Sequence, residues 1–438
     1  MKKNHMDILW HEYMDKGGGN KTVGEASLQE KASVIGRVGI MLLSCGTGAW
    51  RVRSSMNELA QTLGLTCTAD IGLTSIEYTC FDGENSFSQS LCLANTGVNT
   101  SKLNRLEQFI RRFEEEGASM SGNELHSALD EIERIHGLYS PFVLGLASAL
   151  ACCAFTFLLG GGPFEMMCAF FGAGIGNYIR CKLIKHQYTL FLCIVISVMS
   201  ACFVYAGLLR AAEFLFQVNL QHEAGYICAM LFIIPGFPFI TSGIDLAKLD
   251  MRSGLERLAY AIMIVLVATM AAWIAALALD LKPVDFLPLS LSVSERILLR
   301  LLTSFLGVFG FSIMFNSPPK LACGAAVIGA FANTLRLELV SFASLPPAAA
   351  AFIGALCAGL LASCLKGKLG YPRISITVPS IVIMVPGLYL YRGFYNLGIM
   401  VLSEAAYWFA SALLIIIALP LGLIFARILT DKSFRYCT

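Results

Sequence analysis

Two short stretches carry the chemistry most readily read from this chain: Ile234-Pro235-Gly236-Phe237 and Val385-Pro386-Gly387-Leu388, each in the middle of an apolar run. Proline inside a helix removes a backbone donor and pushes away the carbonyl one turn earlier, and the glycine after it lets the chain bend or unwind. In hydrocarbon, backbone groups freed in this way persist only where protein or a polar cavity satisfies them. Paired interruptions therefore point to a solute site near the bilayer midplane, with Pro235, Gly236, Pro386 and Gly387 at its centre. Thr241 and Ser242 follow the first break, and Tyr389 and Arg392 follow the second, adding hydroxyls and a guanidinium. Asn177 and Asn333 offer both a donor and an acceptor, which suits a zwitterion as well as helix-to-helix hydrogen bonds. For a carboxylate that takes up and releases a proton, Asp245 is the first choice and Glu338 the second. Asp245 equally fits a place at the membrane interface, and Arg392 fits a snorkelling one. Glu165 opens its own apolar run, where the helix dipole suffices to explain it.

The two breaks belong to a longer internal repeat. At an offset of 156, Phe155-Thr156 matches Phe311-Ser312, and Pro163, Asn177 and Arg180 match Pro319, Asn333 and Arg336; at an offset of 151 the Pro-Gly stretches coincide. The five-residue difference is a loop length. The apolar runs place ten spans, at 139–159, 163–181, 188–210, 225–245, 257–280, 295–315, 319–337, 345–365, 375–396 and 404–428, each near the length that crosses hydrocarbon as a helix. Five spans per copy is an odd number, so the second copy is expected upside down. This predicts an α-helical polytopic membrane protein, with repeat 1 over 139–281, a linker over 282–294 and repeat 2 over 295–430. Tails are expected at 1–27, mobile, and at 431–438.

Composition agrees with a membrane part and a polar part. The 438 residues are 56% hydrophobic and 14% charged, far more apolar than a soluble domain. Residues 1–138 hold 13 Lys and Arg against 18 Asp and Glu, and the remaining 300 hold 19 against 12. No basic run suggests nucleic acid. Fifteen cysteines occur without a C-x-x-C spacing, so they read as small hydrophobes rather than a metal site or a disulfide framework, and no cofactor is expected. Lys and Arg crowd the ends of the even-numbered spans (Arg180, Lys182, Lys185, Lys248, Arg252, Arg257) more densely than the odd ones (Arg210, Lys282, Arg296, Arg300). The rule that positive loops stay inside then puts both termini in the cytoplasm of a cell (plasma or inner) membrane.

Residues 28–138 read as a small cytosolic α/β domain, ααββαα. Apolar spacing predicts helices from Leu28, from Ala49, around Leu103–Phe113 and from Ser121, with a hairpin or two strands over 66–82 and 86–98 split by Asp82-Gly83-Glu84-Asn85. This domain also carries the alternatives to transport: a membrane-anchored enzyme of hydrolase type, or a solute sensor. His126 and His136 are its histidines, and Arg37, Arg51 and Arg53 are its candidate anion holders. It lacks G-x-S-x-G, H-E-x-x-H and a phosphate loop. Gly172, Gly174, Gly176, Gly324 and Gly329 form small-residue faces that fit close helix packing or a homo-oligomer.

With the soluble segment, the spans and the duplicated Pro-Gly in view, the chain resembles the threonine/serine exporter family over roughly residues 30–430. The resemblance is carried by Leu42-Leu43-Ser44-Cys45-Gly46-Thr47-Gly48-Ala49-Trp50-Arg51-Val52, and by Val385-Pro386-Gly387 with Arg392-Gly393. It implies a cytosolic amino-terminal domain, two related membrane halves, and export of small hydroxy amino acids driven by the proton gradient. Some members are split into two chains, for which export of dicarboxylates such as succinate is suggested. Arg53 stands where the family often has Glu, and Ser90-Leu91-Cys92-Leu93-Ala94-Asn95 lacks the basic residues usual there.

Overall fold

The computed structural model describes residues 8–13, 22–135, 137–216, 225–283, 286 and 289–435. His136 and parts of the predicted tails and linker lie outside them. The described chain divides into two units, one of residues 1–138 with 244–257, the other of 139–243 with 258–438.

The first unit begins with helix α1 (Leu28–Ser44), started by a reciprocal cap in which Ser27 N–H donates to Glu30 Oε2 (2.9 Å) and Glu30 N–H to Ser27 Oγ (3.4 Å). It ends at Gly46, whose φ of +80° is readily reached only by a residue without a side chain. Helix α2 (Ala49–Thr62) follows after Gly48. Three antiparallel strands come next, β1 (Thr66–Ile71), β2 (Ser75–Phe81) and β3 (Ser86–Cys92), in the order β1-β2-β3 among the described residues. The domain is therefore ααβββαα rather than ααββαα. The apolar and β-branched run over 66–82 hides a turn at Gly72-Leu73-Thr74-Ser75, closed by Gly72 N–H donating to Ser75 O (2.9 Å). A continuous strand of that length would exceed the usual span of five or six residues. Cys67 and Ile71 of β1, Ile76, Tyr78 and Cys80 of β2, and Leu91 of β3 are buried on one face, while Thr66, Thr68, Glu77, Ser88 and Ser90 lie exposed or partly so on the other, the period-two alternation of a half-covered sheet. Helices α3 (Thr100–Glu116) and α4 (Gly122–Glu133) complete the layer, capped by Asn99 and Ser121. Within the predicted tail, Trp10–Tyr13 and Val23–Glu25 form short 3-10 turns, and Trp10 is buried.

The second unit is helical. Helices α5 (Pro141–Leu158), α6 (Pro163–Lys185), α7 (Leu190–Phe216), α8 (Gly225–Met230), α9 (Gly236–Ala247), α10 (Met251–Leu279), α11 (Val293–Met314), α12 (Pro319–Ala343), α13 (Pro347–Leu369), α14 (Arg373–Ile381), α15 (Gly387–Gly398) and α16 (Leu402–Thr430) run in order, α9 and α10 continuing through the 244–257 segment of the first unit. Among the described residues, seven of these are long and apolar enough to cross a membrane, and the bent pairs α8/α9 and α14/α15 bring the number to nine. The chain is a polytopic membrane protein. Helix α6, the second of the ten sequence-derived spans, is long enough but carries Glu165, Asn177, Arg180, Lys182 and Lys185 and is not among the nine.

Helices α5 and α11 occupy corresponding places at the 156-residue offset and pack against each other. A β-carbon on Gly310 would lie 2.9 Å from the Ala151 β-carbon, and one on Gly307 would lie 3.6 Å from that of Ala154. These contacts exchange under the offset. Phe155 and its counterpart Phe311 meet edge to face at 6.3 Å. Residue numbers fall along α11 as they rise along α5, and Tyr139 OH, before α5, donates to Ser317 O, after α11 (2.7 Å). The two helices are antiparallel about a local two-fold relation.

A candidate substrate site at two crossed helix breaks

Both Pro-Gly stretches interrupt their helices in the same manner. Before the first, α8 tightens into a 3-10 turn and Ile234 N–H donates to Leu231 O (3.2 Å); before the second, Val385 N–H donates to Val382 O (3.2 Å). Across each proline the chain closes a three-residue turn, Gly236 N–H to Ile234 O at 2.8 Å and Gly387 N–H to Val385 O at 2.9 Å. Pro386, at φ −82° and ψ 57°, has the inverse γ conformation that this bond requires. The helix then restarts, with Phe239 N–H on Pro235 O (3.1 Å) and Leu390 N–H on Pro386 O (3.0 Å). The bends are 58° and 46°.

The breaks also face one another. A β-carbon on Gly236 would lie 2.5 Å from Val382 Cγ2 and 3.2 Å from Val385 Cγ2, and one on Gly387 would lie 2.8 Å from Leu231 Cδ2 and 3.2 Å from Ile234 Cγ1. At the offset of 151, Leu231 corresponds to Val382 and Ile234 to Val385. Each glycine thus receives the turn of the other copy, which is why neither position has room for a side chain. Pro235, Gly236, Pro386 and Gly387 are all buried. Two helix N-termini and two helix C-terminal turns consequently end close together, bringing N–H groups suited to an anion and carbonyls suited to a cation to one place.

The other sequence-derived residues are distributed around this core. Thr241 Oγ1 donates to Phe237 O (3.0 Å) and Ser242 Oγ to Phe239 O (2.9 Å), so both hydroxyls are engaged by their own helix. Tyr389 meets Trp408 edge to face at 5.2 Å, and the Arg392 guanidinium lies 4.8 Å from the centre of the same indole. Asn177 Nδ2 donates to Leu144 O (2.9 Å); Asn333 Nδ2 donates to Ser304 Oγ (2.9 Å), and Asn333 Oδ1 accepts from Arg336 Nε (3.0 Å). Both asparagines tie neighbouring helices together in this structure. Glu338 accepts from Arg300 Nη1 (2.6 Å), with Arg296 at 3.6 Å. Asp245 is fully buried in the first unit, where it accepts from Ala49 N–H (3.0 Å) and Ser253 Oγ (2.9 Å) and pairs with Arg257 (3.2 Å).

Two residues escape sequence reasoning. Tyr226 of α8 shares a 2.7 Å hydrogen bond with Tyr391 of α15, both rings fully buried; a tyrosine in an apolar run gives no sign of a partner 165 residues away. Glu165 is 2% exposed, the one buried carboxylate among the described residues of the second unit. Its counterpart at the 156 offset is Leu321, and Tyr205 and Cys228 are within its electrostatic range. The missed signal is that asymmetry between the copies.

His126 of the first unit belongs to a structural cluster. Ser33 Oγ lies 3.1 Å from His126 Nε2, a spacing that invites a nucleophile reading. Arg37 Nη1, however, donates to His126 Nδ1 (3.2 Å), so Nε2 carries the proton and cannot accept one from Ser33, whose hydroxyl donates to Glu30 O (2.7 Å). Burial, with Arg37 and His11 nearby, pushes the imidazole down to about 3, and Trp10 stacks on it at 6.3 Å. Arg37 also pairs with Asp130 and Glu133, Arg51 with Glu107, and Arg53 with Asp250. The candidate anion holders are already met by carboxylates.

Duplicated, interrupted helices that cross within a polytopic helical unit are an arrangement found among membrane transporters. Family models of threonine/serine exporters match most of the chain: ThrE over residues 33–279 and ThrE_2, described as Threonine/Serine exporter, over residues 300–429. The chain belongs to the threonine/serine exporter family. No curated protein and no solved structure matches it.

Proposed function

We propose that the chain is a secondary exporter of small amino acids of the threonine and serine type, working by alternating access around the crossed breaks. The observation that carries this reading is the reciprocal seating of Gly236 against Val382 and of Gly387 against Leu231. It supports two five-span copies, ten spans in all with α6 included, set head to foot; an even number of spans puts both termini on one side, and the Lys and Arg bias makes that side the cytoplasm. The closed seam is one state of the cycle, and rocking of the copies about it would open the centre to either side.

The substrate carboxylate would meet the N-terminal turns of α9 and α15, and its ammonium the last carbonyls of α8 and α14. Its hydroxyl would be read by the Tyr226–Tyr391 pair, a buried donor and acceptor that an alkyl side chain leaves unsatisfied. Proton coupling would fall to Glu165, the buried carboxylate of the second unit, which the other copy replaces with Leu321. Reconstituted liposomes should show counterflow of threonine and serine, accelerated by an inward proton gradient. Glu165→Gln should abolish the acceleration and keep the counterflow. Transport of succinate alone would replace the substrate class, and no flux of any of these solutes would overturn the transport reading.

A further inference from the structure

Between the second half of the broken helix and the next span lies a short hairpin, residues 244–257, which belongs to the amino-terminal unit. Its attachment is unusually polar and buried. Helix α2 begins at Gly48 with no side-chain cap of its own, and its Ala49 N–H donates instead to Asp245 Oδ1 (3.0 Å). That carboxylate supplies from 196 residues away what an Asp or Ser at the cap position would supply locally. Gly48 must lack a side chain here, because a β-carbon would lie 2.6 Å from Asp245 Oδ1. The carbonyls on the other side of the turn are bound as well: Arg257 Nη2 donates to Thr47 O (2.7 Å) and Nη1 to Gly46 O (3.3 Å). Arg257 Nε reaches both Asp245 Oδ2 (3.2 Å) and Ser253 Oγ (3.0 Å). Asp245 and Arg257 are 0% and 3% exposed, so with the turn in place both charges are met by protein groups rather than water. Around this centre Glu256 Oε2 accepts from Leu73 N–H (2.6 Å), and Arg252 pairs with Asp70.

On the transport reading given above, we propose that Asp245 and Arg257 are positioning residues that fasten the Gly46–Ala49 turn, so that the α/β domain and the hairpin of the interrupted helix travel as one body through the cycle. The domain is then a working part of the exporter, delivering its motion to the break ten residues before Asp245. Separating the turn from the pair would leave Asp245 without the Ala49 N–H and Arg257 without the Gly46 and Thr47 carbonyls, so three buried hydrogen bonds to charged groups are lost together.

Full-length Asp70→Cys/Arg252→Cys protein, reconstituted and joined by a short bis(methanethiosulfonate) reagent, which forms a reducible disulfide to each cysteine and releases methanesulfinate, with the 70–252 bridge mapped by mass spectrometry, tests this at a surface pair where folding is not at stake. Bridged protein should keep the counterflow rate of wild type treated with the same reagent. Loss of flux on bridging, restored by cleaving the reagent, or failure of the two sites to bridge would overturn the proposal. In Asp245→Asn the maximal rate should fall about tenfold at a half-saturating concentration changed by less than about twofold, and deuterium exchange at residues 49–52 should quicken. Loss of gradient-driven export with counterflow retained would instead make Asp245 the proton carrier. Unchanged exchange would remove the clamp itself, a result that can be read even if no tested solute is transported.

Discussion

The glycines at the breaks and His126 of the first unit show how single residues set the behaviour of this chain. A methyl group on Gly236 meets Val382 Cγ2 at 2.5 Å, closer than carbon atoms tolerate, so Gly236→Ala must push the two copies apart. We expect such overpacking to cost about 1–3 kcal/mol, visible as a lower thermal midpoint, and to slow counterflow. Gly387→Ala, met by a more adaptable leucine at 2.8 Å, should be the milder of the two. His126 predicts a pH dependence with a definite sign. Its folded pKa is about 3, below its ordinary 6.5, so its contribution to stability is complete above pH 6.5 and is lost as the pH falls towards 3. Acidification from pH 7 to 5 should therefore cost about 2 kcal/mol, at 1.36 kcal/mol per unit. Faster deuterium exchange in α1 and α4 would report it, and His126→Gln should flatten the change.

At the scale of elements, what can be read from the sequence depends on whether the cause is local. Proline within an apolar run has one meaning for a helix, so the breaks at Pro235 and Pro386 are legible without coordinates, as are the helix starts at Leu28 and near Ser121, which the structure shows to be capped by Ser27 and Ser121. The turn that divides 66–81 into two strands is not, because Gly72 is followed by Leu and Thr, residues that also suit a strand. Asp245 is hard to place for a different reason. Its spacing from Pro235 suggests a membrane carboxylate, and its partners at Thr47 and Ala49 are set by the fold rather than by the neighbouring sequence. The Tyr226–Tyr391 bond makes a prediction at this scale. Tyr226→Phe leaves the ring packing and removes one hydroxyl, so selectivity for threonine over valine in competition for counterflow should fall about tenfold or more, while total flux of small apolar amino acids persists.

For the whole molecule, the repeat is the organising fact. Antiparallel α5 and α11, the exchangeable Gly310–Ala151 and Gly307–Ala154 contacts, and the crossed breaks obey one two-fold relation within the second unit. The copies depart from that relation at Glu165 against Leu321 and at Tyr226 against Thr377, the positions to which the proposed mechanism gives proton coupling and hydroxyl recognition. Replacing Leu321 with Glu should leave Glu165 as the group governing the pH profile of export, because a second acid in the other copy lacks the Tyr205 and Cys228 surroundings. A pH midpoint that moves with Leu321→Glu while Glu165→Gln has no effect would reverse that assignment.

The fit of each glycine into the opposite turn has a consequence for assembly. A joint made of matching knobs and notches recognises its mate without a covalent tether, and what specifies the mating at the breaks lies on the two rods themselves. Nicking the backbone between residues 283 and 289 and producing the pieces together should therefore yield a working pair, whereas bulk added to the notch at 236 should be forgiven when the knob at 382 is trimmed from valine to alanine.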